Sequence, residues 1–262
     1  MVRKITTADW RAGRRFSAAL AIAVNVSSVR GTRRPKEDPM DGAALAVLVI
    51  AMALLAGVPI VLLSVALPLA LRAERQRKRA LWQWAVQHGW SFAERSKALW
   101  VARLPGGGRR ALGVTLSGMM GGRLVTVAEH SYTTTTSSGG STRTQTHHYV
   151  AVVVVLDRPL PSVAVISRGA MSKVGRVLFG DRPTATGNEA FDARFRIRSA
   201  DPSFARWLVG KPLMDAHLAA AVPDWSLVGQ DLLTYRLGQL HHPHAIPGLV
   251  APLARVADLL GR

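Results

Sequence analysis

Between Ala43 and Leu71 the chain carries no charged residue: AALAVLVIAMALLAGVPIVLLSVALPLAL. No other feature constrains the fold as much. As a helix rising ~1.5 Å per residue the run is about 43 Å long, more than the ~30 Å hydrocarbon core of a bilayer requires. Tilt, a kink at Pro59 or an end near Pro68 absorbs the excess. A buried soluble helix of this length without one charge fits poorly. The apolar core of a cleaved signal peptide is about half as long. The expectation from sequence is one N-terminal transmembrane helix over residues 43–71.

The run is followed by RAERQRKR, in which Arg72, Arg75, Arg77, Lys78 and Arg79 face a single Glu74. Basic residues within about 15–20 positions of a membrane helix tend to stay on the cytoplasmic side. Residues 1–39 oppose that assignment, because they hold nine basic and three acidic residues. Their segment RRFSAALAIAVNVSSVRG resembles a short signal or twin-arginine sequence with an incomplete consensus. Codons resolve the conflict. Lys36 and Glu37 can be written AAG GAG, and any Asp codon continues with G. The resulting sequence is a bacterial ribosome-binding site just before Met40. Residues 1–39 are therefore read as a disordered basic leader that is not translated, with the native start at Met40. The expected topology is then single-pass in the cell membrane, with the C-terminal domain cytoplasmic.

The chain has 34 Lys plus Arg against 16 Asp plus Glu, a formal charge of +18, and no cysteine. Absence of cysteine excludes disulfides, thiolate metal ligands, a thiol nucleophile and an acylated cysteine. The charge survives without the leader, since residues 72–262 hold 25 basic and 12 acidic residues. Such a surplus suits anionic lipid, nucleic acid or an acidic protein.

Residues 72–90 read as a juxtamembrane helix stopped by Gly89. Its Trp82 and Trp84, with Trp90 just beyond, either sit at headgroup level or dock the helix on the domain, and docking is favoured. Over residues 91–262 the pattern becomes rich in β-branched residues punctuated by Gly and Pro. The segment 124–157 is nearly symmetric about Gly139-Gly140. A turn there places Tyr132 opposite His147 and His130 opposite Tyr149. Its stem around Val152–Val155 is apolar enough for burial on both faces, and its tip TTTTSSGGSTRTQT is a polar projecting arm.

A short helix is expected around Met171–Phe179, then a strand FDARFRIRS whose Arg194, Arg196 and Arg198 alternate with Phe195 and Ile197. A helical pair follows, with Asp201 as N-cap. Next come a hairpin WSLVGQDLLTYRLG and a closing helix from Ile246 to Leu260. The fold class is α+β, an antiparallel sheet with flanking helices behind the membrane helix. The alternative is a small pleckstrin-homology-like barrel closed by the last helix.

The block Phe191–Met214, with Phe195, Ile197, Asp201, Pro202, Ala205, Leu208 and Met214, resembles a stretch of actinobacterial single-pass membrane proteins. They form a bacterial family with a domain of unknown function. The order of anchor, Trp-rich helix, Gly-Gly hairpin and this block is similar over most of residues 43–262. The resemblance implies architecture and carries no activity.

Catalytic patterns are missing: there is no Walker loop, GxSxG elbow or HExxH helix. PGGGRR at 105–110 reads as a loop rather than a phosphate cradle. His241, His242 and His244 are weak metal candidates without a neighbouring carboxylate or thiol. The adjacent His147 and His148 of a strand point to opposite faces. No cofactor is expected. The reading is a non-catalytic interaction or scaffold module at the membrane. Arg72, Arg75, Arg77, Lys78 and Arg79 meet anionic lipid headgroups of the bilayer, Arg194, Arg196 and Arg198 form a second basic face, and a protein partner is unidentified. The alternatives are a membrane-tethered enzyme with an unrecognised site and, less favoured, a nucleic-acid-binding domain.

Overall fold

A computed structural model of the chain describes residues 42–106, 112–168 and 183–261. The leader, the PGGGRR arginines and the helix expected at Met171–Phe179 lie outside the described residues, as do most side chains of residues 42–65. The chain divides into two compact units, Met1–Pro59 and Ile60–Arg262. In the first, the described backbone is helical from Gly42, and the side chains of Val47, Ile50 and Met52 are exposed.

Helix α1 covers Gly42–Gln87. Its apolar run is helical, but the transmembrane expectation is corrected. Among the described residues, no helix is long and apolar enough to cross a membrane. A span needs roughly 20 consecutive apolar residues.

The second unit is an antiparallel sheet with flanking helices, so the α+β assignment stands. Its strands are β1 (Ser91–Glu94), β2 (Val114–Met120), β3 (Arg123–Ser138), β4 (Ser141–Ser167), β5 (Pro183–Thr184), β6 (Phe195–Ser199) and β7 (Trp225–Leu237). The helices after α1 are α2 (Glu189–Arg194), α3 (Pro202–Leu208), α4 (Lys211–Leu218) and α5 (Ile246–Leu259), with short 3-10 turns at Leu99–Arg103 and Pro243–Ala245. The order is β1-β2-β3-β4-β6-β5, and β7 pairs with β4. Among the described residues β1 pairs with β2 alone and β5 with β6 alone, so the sheet does not close into the alternative barrel.

The long strand β4 organises the sheet. Along one edge it pairs first with β3, through residues 141–154, and then with β6, through 163–167. Along the other it pairs with β7. Between the halves lies LDRPLPS, where the register to β7 shifts twice. Pro159 and Pro161 have no N–H for a ladder, so the two strands bend together there. This bend explains why WSLVGQDLLTYRLG is one strand rather than a hairpin. Gly229, at φ +61°, faces Leu160 across the irregularity.

The expected pairs of the β3–β4 hairpin are found: Tyr132 with His147 and His130 with Tyr149. Gly139 and Gly140 both have positive φ, +55° and +82°, which a two-residue turn matched to the strand twist requires. The stem is buried on both sides. Val125, Val127, Val150, Val152 and Val154 enter the main core beneath Leu81, Trp84 and Ala85 of α1 and Ile246, Val250, Leu253 and Val256 of α5. Ala128, Ala151, Val153 and Leu233 meet Trp100, Val101 and Leu104 on the reverse face.

FDARFRIRS divides differently from expectation. Asn188 caps α2 by accepting from Phe191 N, and the strand begins only at Phe195. Asp201 does cap α3, its Oδ1 accepting from Ser203 N and Phe204 N at 3.0 Å each. Among the tryptophans, Trp84 and Trp90 are buried and meet edge-on at 5.3 Å, whereas Trp82 is 52% exposed.

Trp90 lies flat against Gly118 of β2. A Cβ added there would sit 2.4 Å from the indole Cγ. Gly118→Ala is therefore expected to displace Trp90 and cost about 2 kcal/mol, in the usual range for overpacking a filled core. Urea unfolding followed by tryptophan emission checks this; a loss under 0.5 kcal/mol (of the order of a neutral surface change) refutes it.

Candidate functional site

The basic cluster after the apolar run splits into two roles once it is wound on α1. At about 100° per residue, Arg72, Arg75, Arg79, Trp82 and Val86 share an arc of about 80°. The side chains of Leu81, Trp84 and Ala85 lie on the opposite arc and are buried. The stripe is solvent-facing: Arg72, Arg75 and Arg79 are exposed, Trp82 is half exposed and Val86 is exposed. None of the three arginines makes an ion pair among the described residues. Leu67, Leu69 and Leu71, one turn earlier, are also exposed.

Arg77 and Lys78 point elsewhere. Lys78 pairs with Glu94 at 2.8 Å. Arg77 is largely buried, and all its N–H groups are used. Nε and Nη2 donate to the two oxygens of Glu74, at 2.9 and 2.8 Å. Nη1 and Nη2 donate to Glu129, at 2.7 and 3.2 Å, and Nη1 also donates to Leu240 O at 2.8 Å. The hydrogen bond donated to Glu74, together with those donated to Glu129, raises the guanidinium pKa above its usual value despite burial. Arg77 in turn holds the Glu74 carboxyl below its usual value. This clamp fixes α1 against β3 and against the chain beyond β7.

Beside the clamp is a polar cavity of about 260 Å³ lined by Glu74, Arg77, Glu129, Ser131, His148 and Gln239, among others. His130 and His148 share its lining with these carboxylates, the company that the enzyme alternative requires. Both oxygens of Glu74 and of Glu129 accept from Arg77, and Glu129 also accepts from Leu240 N at 3.0 Å.

The remaining candidates are dispersed. Arg194 sits on α2 rather than on the strand, donating to Leu218 O at 3.2 Å and lying over the Phe195 ring. Arg196 is exposed and Arg198 is partly buried on β6. The expected three-arginine face therefore reduces to two residues with unlike surroundings. His241, His242 and His244 are all exposed around the Pro243–Ala245 turn. No group of three potential metal ligands exists among the described residues. His130 is buried, its Nε2 donating to Pro105 O at 3.1 Å.

Sequence reasoning missed three buried or clustered polar groups. Arg103 is buried and donates from Nη1 to Asp231 O and Ser226 O, at 2.9 and 3.2 Å, and burial lowers its pKa to about 10. His217 is buried against Phe191 and Phe195. Tyr132, Tyr149 and Tyr235 cluster at the base of the hairpin, where burial, then a hydrogen bond with Tyr132, pushes Tyr149 up to about 12. Only the tyrosines left a trace in the sequence, through the hairpin register.

No family model and no curated protein matches the chain. A solved structure of the mycobacterial trehalose monomycolate transport factor A, TtfA, is similar at 12% identity and a TM-score of 0.46. That match covers 71% of this chain and 94% of that one. A likeness of that degree carries no argument, so function rests on the residues described above.

Proposed function

We propose that the chain is a non-catalytic interaction module that seats on an anionic lipid surface through the outer stripe of α1. One observation carries this reading. Arg72, Arg75 and Arg79 are exposed without ion pairs among the described residues, in line with half-exposed Trp82 and exposed Val86, on the side of α1 opposite its buried face. A row of guanidinium groups beside an aromatic ring is the composition of a helix that lies in a headgroup layer. The stripe lies along the surface. The cytoplasmic leaflet carries the complementary charge.

Each basic side chain near such a surface contributes about 1 kcal/mol, so three give roughly a hundredfold in affinity. The full chain is expected to bind vesicles containing phosphatidylglycerol about a hundredfold more tightly than phosphatidylcholine vesicles at low salt. The difference should shrink with added salt. Replacing Arg72, Arg75 and Arg79 by Gln should remove it while leaving the unfolding midpoint in place. Equal affinity for the two vesicles, or a preference indifferent to the triple substitution, sinks the proposal. Binding to both by the apolar part of α1 is common to all samples and cancels in the ratio.

A further inference from the structure

The β3–β4 hairpin outgrows the sheet that supports it. Pairing of β2 with β3 ends at Ala128, and pairing of β7 with β4 ends at Tyr149. The hairpin continues to Gly139-Gly140, and residues 133–146 are exposed throughout. Counting outward from the two-residue turn, pairs alternate between those that exchange both backbone bonds and those that exchange none. Ser138–Ser141, Thr136–Arg143 and Thr134–Gln145 are of the first kind. Thr142, Thr144 and Thr146 therefore aim their backbone N–H and C=O groups away from β3. The count is verified at the base, where the outward-facing His148 O accepts from Gly238 N at 3.0 Å. Beyond that bond, this edge has no backbone partner among the described residues.

Exposed edges are usually blunted by lysine, proline, a bulge or a covering element. Among the described residues this one has none of these. Residues 133–146 contain one charge, Arg143, and no proline. Threonine holds the arm in strand form. Cross-strand hydroxyl contacts reinforce it, Thr133 to Thr146 at 3.2 Å and Ser137 to Thr142 at 3.5 Å. It is a nearly neutral template on a protein with a net charge of +18.

We infer that the β4 edge of the arm, Thr142–Thr146, pairs antiparallel with the same edge of a second copy of this chain. A two-fold register centred on Thr144 sets Thr144 against Thr144 and Thr142 against Thr146. Six outward N–H and C=O bonds then form across the axis. Charge selects both register and partner. Arg143 falls opposite the neutral Gln145 of the second copy, so no like charges face each other. A strongly basic chain meets its own copy with little repulsion through an exposed segment that carries a single charge, whereas an acidic partner gains almost nothing there. The result is a continuous four-stranded ribbon.

The chain has no cysteine, which makes the test direct. Facing residues of a bonded antiparallel pair lie about 5.5 Å apart at Cα, within disulfide reach. Thr144→Cys in the full chain is expected to form a disulfide dimer under mild oxidation, whereas Thr135→Cys on the β3 edge should stay monomeric. Thr144→Pro removes an N–H that the hairpin itself does not use. It should raise the dimer dissociation constant at least tenfold in sedimentation equilibrium with an unchanged far-UV spectrum. Equal cross-linking at 135 and 144, no cross-linking at 144, or a dimer indifferent to Thr144→Pro overturns the inference. None of these readouts depends on lipid, so its failure is distinct from failure of the lipid-surface reading.

Discussion

Arg77→Met is expected to destabilise the protein by about 3 kcal/mol, the lower end of the range for breaking a buried ion pair. The size follows from what the substitution leaves behind. Glu129 keeps only Leu240 N as a donor, while its side chain stays 15% exposed. A carboxylate in that position has lost its counter-charge and most of its solvation together. Glu74 is far more exposed, at 46%, and contributes little by comparison. The second partner isolates the cause. In the Arg77→Met/Glu129→Gln double variant no charge is stranded, and the amide oxygen can still accept from Leu240 N. That variant should recover at least half of the loss. Urea midpoints at constant m-value measure both effects. A single-variant cost below 1 kcal/mol, or no recovery in the double variant, would show that the clamp is ornamental.

The same residue shows how far a sequence reading reaches. RAERQRKR looks like a uniform basic cluster, and charge counting assigns all five cations to one surface. A helix turns by about 100° per residue, so neighbours in such a cluster face different environments. Arg77 and Lys78 face carboxylates of the domain, Glu129 and Glu94, that lie 52 and 16 residues away in sequence. Nothing local announces those partners. Arg75 and Arg79 were legible as exposed; the inward turn of Arg77 was not.

The fold divides along similar lines. The β3–β4 hairpin was legible because symmetry about Gly139-Gly140 fixes a register, and register fixes every opposing pair. The cap at Asp201 was legible because it depends on residues within one turn. Phe191–Arg194 alternates like a strand yet winds as a helix. Asn188 caps it and Asp192 accepts from Thr186 N and Gly187 N, contacts that alternation does not encode. Gly229 and Gln230 read as a turn, but they mark a bend matched to Pro159 and Pro161 on a strand about seventy residues earlier. At Gly229 tertiary pairing overrode the local signal, whereas at Phe191–Arg194 one local signal, the cap and its turn, overrode another, the alternation.

Loss of stability at mildly acidic pH is the second large effect expected, and His217 is its source. Trp225 Nε1 donates to His217 Nε2 at 3.0 Å, which requires that nitrogen to be unprotonated. The ring is 1% exposed and enclosed by Phe191 and Phe195. Burial without a counter-charge lowers its pKa from 6.5 to about 4. The unfolded chain therefore takes up a proton as pH falls below 6.5, while the folded chain resists until about 4. The contribution is complete above pH 6.5 and is lost progressively on acidification. About 2 kcal/mol should be gone by pH 5, and about 3 kcal/mol once the folded ring titrates. His217→Gln separates this from the other histidines. Its amide oxygen can accept from Trp225 Nε1, and the side chain cannot be protonated. Between pH 6.5 and 4 the stability of the variant should fall less steeply than that of the parent, by close to one proton in the slope. Urea unfolding at half-unit intervals of pH measures the difference, and parallel curves for the two proteins would assign the acid sensitivity elsewhere.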